Sequence, residues 1–528
     1  MLTRRRFLKL ALSSILLQSF GCTLNQKHHF IPGTLRLNLG YEPDTLDWLR
    51  ATDSYSFDVI SNIMCGLTKY NSDFESVPSI AEKWNISNDG KTYTFYLNQD
   101  FKWTDGKPVL AEDFYFAWEK LLNPKTGGQY AYLFYPIKNA YEYNTGIITD
   151  PKELGIKAVD DYIFEVELKK PIAFFLNLTS YCFSFPQRKD IIERHGDDWT
   201  EPGKIVTCGP FYLDTWNHEY KITLKRNEYY KNPKPLLDEI KYYIVQEQSS
   251  GFSLYLNNEI DWIDSRSIPI SEIETAKKLK ETQFKPLLRV VYIGFNVTKY
   301  PFNNPLVRKA LSHSIDRSIF PKVLRRGEVP TSSLIPPQLK DFYNPRIGCE
   351  FNPELAKKLL TRAGFENGKN FPPVHILFPT RDDIKLYLEV VQAQWKKILN
   401  INISLKNEEW KVYLNTLHRD APPIYRLSWG ADYPDPDTFL NLFTSNSGNN
   451  YGRWKNKIYD SLVSSGASEM DIKRRKEIYR NAQKILLEDE AAISPLFFNT
   501  QVILGKPWVK NLEFNAMDLI FCEKIKVG

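Results

Sequence analysis

The sequence predicts an α/β protein built from more than one lobe, on three observations. Residues 374–405 read as a β-α-β unit, residues 88–97 read as the turn and strand of a β-hairpin, and 528 residues are too many for one simple core. In chain order, Leu35 to Leu39 alternates apolar and polar residues with period two and predicts a strand. Asn88-Asp89-Gly90 is a strong turn signal, and Thr92 to Leu97 alternates again, so a hairpin is expected there. From Leu110 to Leu122, Phe114, Ala117, Trp118 and Leu121 fall on one helical face, and Pro124 ends the helix. His375 to Phe378 predicts a strand. Ile384, Leu388, Val391, Trp395 and Leu399 then keep helical spacing, and Ile401, Ile403 and Leu405 alternate as a second strand. No internal repeat and no Gly/Ser linker divides the chain, so the lobes are joined by ordinary strand crossings.

Hydrophobic residues make up 42% and charged residues 25%, an ordinary globular balance. The net charge is +6, of which Arg4, Arg5, Arg6 and Lys9 carry four, leaving +2 for the rest. A chain this large at +2 has no global attraction for nucleic acid. The basic start, the apolar run Leu10 to Phe20 and Gly21-Cys22 follow the order of an export signal over residues 1–22. The apolar run is short of the ~20 residues that cross a bilayer. Thr3-Arg4-Arg5-Arg6-Phe7-Leu8-Lys9 looks like a twin-arginine signal, with a general secretory signal as the alternative. Gly21-Cys22 resembles the end of a lipoprotein box, which would acylate Cys22 and tether the protein to a membrane surface. The expected location is therefore the periplasm.

The other cysteines, Cys65, Cys182, Cys208, Cys349 and Cys522, form no C-x-x-C and support no zinc site. The sequence pairs none of them in a disulfide. The seven histidines do not cluster apart from His28-His29, which follows the leader as a solvated tether. Asp432, Asp435 and Asp437 hint at a calcium loop, but Asp437 and Phe443 stand where an EF-hand needs Gly and Glu. No dinucleotide, P-loop, nucleophile-elbow or H-E-x-x-H motif occurs. Spacing selects no carboxylate pair for glycoside hydrolysis, so a carbohydrate hydrolase remains only a distant alternative.

Several stretches resemble one family in its own order. They are Ala81-Glu82-Lys83-Trp84, Asp89 to Phe95, Lys102 to Val109, Ala111 to Phe114, Pro202 to Thr207, Pro301-Phe302-Asn303, Val307 to Leu311, Asp316-Arg317, Glu409-Trp410-Lys411, Trp429 to Tyr433 and Lys506 to Val509. Together they resemble the family-5 extracellular solute-binding proteins, in particular their oligopeptide-binding members, over about residues 34 to 528. The resemblance implies a two-lobed periplasmic-binding-protein clamshell with an additional inserted α+β domain. Residues 23–64, 190–291 and 501–528 would form lobe I, residues 65–189 the inserted domain and residues 292–500 lobe III. It further implies a monomer without catalytic activity, cofactor or metal, which delivers peptides to the membrane permease of an ABC importer.

A free peptide offers an α-ammonium, a main chain and a carboxylate, and a broad receptor grips these and leaves the side chains in wet pockets. By resemblance, Asp432 is the ammonium partner. Backbone near Ser54 and around Trp429, Gly430 and Ala431 would pair with the peptide main chain. Tyr130 would line the cleft, Trp410 and Trp429 would wall side-chain pockets, and Phe498 lies beside the position of a late pocket Tyr. Arg426 would meet a carboxylate or hold Asp432, and Arg325 lies near a family Lys that reaches carboxylates. Other positions depart from the family: Ile384 and Leu417 replace a His and an Arg, Thr52 a pocket Glu, Asn499 the late Tyr and Gly430 a disulfide Cys. Arg381 or His418 would have to compensate. Fewer cations would favour longer peptides, or cell-wall peptides with acidic centres. A nickel chelate is disfavoured because His418 alone lies near the expected site.

Overall fold

The computed structural model describes residues 30–528 except 72–73, 127 and 513–514. The leader, Cys22, His28 and His29 lie outside the described residues.

One mixed sheet organises most of the molecule. Its strand order is Ile403–Glu408, Val374–Pro379, Ile424–Gly430, Thr282–Phe295, Ile493–Gly505, Trp262–Ile263, Thr34–Asn38, Glu239–Tyr243, Lys221–Arg226 and Phe211–Asn217. The first three strands belong to one lobe and the last five to the other. Thr282–Phe295 and Ile493–Gly505, 14 and 13 residues long, run antiparallel through both lobes and join them. Their pairing is irregular in the middle. It steps from Pro286↔Thr500 to Val290↔Phe498, which leaves extra residues in the first strand at the point between the lobes.

The predicted β-α-β unit is present as Val374–Pro379, Asp382–Leu399 and Ile403–Glu408, with the two strands parallel. The second strand starts at Ile403, two residues later than the alternation suggested, because the helix ends at Asn400 in a left-handed turn (φ 55°). Ile384, Leu388, Val391, Trp395 and Leu399 are all buried, as their spacing requires.

A separate four-stranded antiparallel sheet, Ala81–Ile86, Thr92–Leu97, Ile163–Glu167 and Ile156–Asp160, forms an inserted α+β unit. The expected hairpin is its first strand pair. Helix Ala111–Leu122 packs on it through Phe114, Ala117, Trp118 and Leu121, all fully buried. Asp113 closes the helix start by accepting from the Leu110 amide (3.0 Å) and Trp103 Nε1 (3.0 Å). The five described cysteines are buried free thiols. No described helix is long and apolar enough to cross a membrane.

Candidate ligand cleft

Two adjoining cavities lie between the lobes. Ser54, Arg289, Trp410, Ser428 and Asp518 line both, so they form one continuous cleft. The helix Ser54–Ile63 opens onto it. Its cap, Asp53, accepts from the Tyr55 and Ser56 amides and lines the same space. From the other lobe, strand Ile424–Gly430 presents Arg426, Ser428 and Gly430, and the turn after it presents Asp432.

Asp432 is 4% exposed and takes a hydrogen bond from Tyr130 Oη (3.2 Å). Tyr181 also donates to it, and no Lys, Arg or His among the described residues forms an ion pair with it. Burial pushes its carboxyl up to about 7, against the hydrogen bonds from Tyr130 and Tyr181 and the more distant Arg289 charge. A buried carboxylate held by two tyrosines and lacking a counter-ion is suited to a cationic guest. Its neighbours in the motif have other duties. Asp435 binds Arg475 bidentately (2.7 and 2.8 Å), and Asp437 accepts from Tyr433 (2.9 Å) and Tyr479 (2.8 Å). Of the three acids, only Asp432 lines the cleft. No group of three His, Cys, Asp or Glu placed to hold a metal occurs among the described residues.

The remaining expected residues distribute unevenly. Tyr130, Trp410, Trp429, Gly430, Ala431 and Ser54 all line the cleft, and the indole N–H groups of both tryptophans are buried without a protein partner. The amide of Ala431 is already committed to the Leu288 carbonyl (2.8 Å), so it is not available to a guest. The Arg289 guanidinium packs directly on Gly430, where a Cβ would sit 3.1 Å from Arg289 Nη2. Arg426 lines the first cavity, donates from Nε to Tyr387 Oη and lies 5.8 Å from that ring's centre. It forms no ion pair with Asp432 or with any other described carboxylate.

Arg325 and Phe498 fall elsewhere. Arg325 occupies a left-handed turn (φ 59°) and is exposed, lining neither cavity; the neighbouring Arg326 points inward instead. Phe498 packs on Tyr343 (6.1 Å), because strand alternation turns Phe497 and Asn499, on either side of it, toward the first cavity. Ile384, Thr52 and Asn499 do line the cleft, while Leu417 is core. Arg381 lines the cleft but is held by Asp383 (2.9 and 2.5 Å), and Asp383 also binds Arg326 (2.7 Å). His418 is half-buried against Tyr451 and lines neither cavity.

Arg289 is the main residue that sequence reasoning passes over. It lines both cavities, donates to Ser54 Oγ (3.1 Å), pairs with Asp518 (3.2 Å) and keeps a buried Nε without a partner. The signal was available, since an Arg interrupts the apolar run Leu287-Leu288-Arg289-Val290-Val291. With Arg266, Arg326, Arg381 and Arg426, it makes five guanidinium groups around the first cavity, against Glu328, Asp383 and Asp518. The cleft thus has a cation-seeking end at Asp432 and an anion-seeking end at Arg426.

The model of the bacterial extracellular solute-binding proteins, family 5, matches residues 75–451. The periplasmic oligopeptide-binding protein OppA of Salmonella typhimurium is 34% identical over 487 residues, covering 90% of this chain and 89% of its own. Haemophilus influenzae OppA, solved in complex with the peptide RPPGFSPFR, superposes with a TM-score of 0.89 at 30% identity, over 94% of this chain and 99% of its own. The Escherichia coli murein tripeptide binding protein MppA gives 0.89 at 32% identity, over 94% and 98%. The unliganded open form of MppA gives only 0.65 at the same identity and coverage. The lobes are therefore set differently here from that open form.

Proposed function

Because the chain belongs to the family-5 bacterial extracellular solute-binding proteins, we propose that it captures oligopeptides in the cleft between its lobes and delivers them to the permease of an ABC importer. The observation that carries this reading is Asp432, a buried carboxylate in the cleft with two tyrosine donors and no cationic partner. A peptide α-ammonium supplies the missing charge, and a charge-assisted hydrogen bond of this kind contributes roughly 1.5–3 kcal/mol. Arg426, free of carboxylates, takes the peptide's anionic group. The unpartnered indole N–H groups of Trp410 and Trp429 and the oxygen of Asn499 are open to the peptide main chain or to ordered water.

In this reading the protein binds and releases its cargo without turnover, as a monomer. Its lobes follow the boundaries expected from the resemblance, and an acylated Cys22 holds it at the outer face of the cell membrane. Native mass spectrometry of the mature chain, with and without a random peptide library, tests the cargo. Retained peptides that disappear with Asp432→Ala support the reading, and retention of some other solute overturns it.

A murein-derived peptide is the second reading, favoured by Arg426, which lines the first cavity without a carboxylate partner, and by Arg289 beside it, whose Nε is unpartnered. Such a peptide carries an additional carboxylate, and Arg426 and Arg289 are placed to meet it. Competition between muropeptides and ordinary peptides of equal length separates the two readings.

A further inference from the structure

Outside the cleft, the inserted unit meets the opposite lobe around Phe174, apart from a second contact of Gln129 and Tyr132 with residues 447–449. Just beyond strand Ile163–Glu167, residues 170–174 reach across to the lobe that carries Asp432. The Phe174 ring stacks on Tyr433 with centroids 5.0 Å apart and planes 16° from parallel. The Arg475 guanidinium lies 5.7 Å from the same ring. The Ala173 amide donates to the Ala467 carbonyl (3.2 Å), and Lys170 Nζ donates to the Ser464 carbonyl (2.7 Å) and hydroxyl (3.0 Å).

The receiving surface is cross-linked by buried hydrogen bonds. Asp435 fixes Arg475 through two hydrogen bonds, and Asp437 fixes Tyr433 and Tyr479. A Cβ on Gly466 would come within 2.1 Å of the Tyr479 ring, so the two helices beneath are in direct contact. Phe174 is 4% exposed here, and opening of the lobes would return that ring to water. The residue that receives it, Tyr433, directly follows the ligand anchor Asp432. The tyrosines that hold Asp432, Tyr130 and Tyr181, come from the same side as Phe174.

Resting on the peptide-capture reading, we propose that Phe174 is a positioning residue. It latches the inserted unit onto the Tyr433–Arg475 surface and so sets how long a captured peptide is held, without touching the peptide. A contact made only in the closed state raises the closed fraction, and apparent affinity scales with that fraction. The latch therefore acts on release, because capture begins from open lobes that do not make the contact.

The test is Phe174→Ala in the full chain, measured by stopped-flow binding of a labelled peptide retained from the library. The expected result is dissociation faster by about five- to tenfold with an association rate within twofold of the parent. Phe174→Tyr, which keeps the stack, should release at the parental rate. Small-angle scattering gives a readout that needs no peptide, and F174A should have the larger radius of gyration. An unchanged dissociation rate together with an unchanged scattering profile overturns the latch. A loss that falls on association instead also overturns it, since that would mark damage to the cleft. If the parent protein retains no peptide, the capture reading fails, and the scattering comparison still decides the latch.

Discussion

A single carboxylate sets the chemistry of the cleft. In the unfolded chain Asp432 titrates near the usual 3.8, whereas burial pushes it up to about 7 in the folded protein. A raised carboxyl is harmless at low pH, where both states hold the proton. Its cost appears as pH rises above the unfolded value and is complete above about 7. Asp432→Asn should therefore stabilise the unliganded protein at pH 8 by roughly 2–4 kcal/mol and leave it unchanged at pH 3.5, as read by thermal unfolding. The same substitution should weaken peptide binding by at least about tenfold. Parental binding should weaken as pH falls from 7.5 to 5.5, and titration calorimetry should detect proton release on binding near pH 7. Equal affinity at both pH values would show that no ammonium–carboxylate pair forms. At the far end of the cleft, Arg326→Ala should disturb binding more than Arg325→Ala, because only Arg326 faces inward and its loss leaves Asp383 with Arg381 alone.

At the scale of elements, periodicity was a good guide wherever one face is buried. The helix Asp382–Leu399 was legible because Ile384, Leu388, Val391, Trp395 and Leu399 form an unbroken apolar stripe. Trp395 is fully buried and donates from Nε1 to the Leu311 carbonyl (3.0 Å). Trp395→Ala should lower the stability of this lobe by ~3–5 kcal/mol, seen as an earlier denaturant transition. The crossing strands were harder to read. Thr282–Phe295 contains Pro286 and a polar first half, because that half borders one lobe and the second half is buried in the other. Its irregular pairing at residues 287–289 is what aims Arg289 into the cleft, and alternation within one strand does not reveal where such a break falls.

At the scale of the whole molecule, closure is held by contacts far apart in sequence. Besides the Phe174 contact, Tyr41 Oη reaches the Thr380 carbonyl, and Glu42 pairs with Lys411 of the other lobe (3.2 Å). Glu42 is held in place by Trp216 Nε1 (2.8 Å) and His218 (2.7 Å). Burial alone would raise the Glu42 carboxyl, but the bonds from His218 and Lys411 outweigh it and hold the group below its usual range. A lowered carboxyl stabilises above its unfolded value and loses that contribution as pH falls through the folded one. Lys411→Ala should speed peptide release by about two- to fivefold and reduce its dependence on salt, because the pair is partly exposed and screened. Release rates at low and high salt check this directly.

The sequence by itself determined the α/β class, the inserted hairpin sheet, the family and the cleft residues carried by contiguous motifs: Asp432, Trp429, Gly430, Ala431, Tyr130, Trp410 and Arg426. Periodicity and turn chemistry settle the class and the hairpin, whereas the cleft residues were legible only through the resemblance of their motifs to the family. Only the tertiary structure decided which charges are free. Arg381 and Arg326 are both bound to Asp383, while Arg426 has no carboxylate. Only the fold turned Arg326 rather than Arg325 inward and placed Phe497 and Asn499, not Phe498, at the cleft. A left-handed turn and a one-residue strand phase decide those orientations. The pairing of Asp432 with Tyr130, 302 residues apart, exists only when the lobes meet. Contacts of that separation depend on how the crossing strands set one lobe against the other, which no local pattern in the chain encodes.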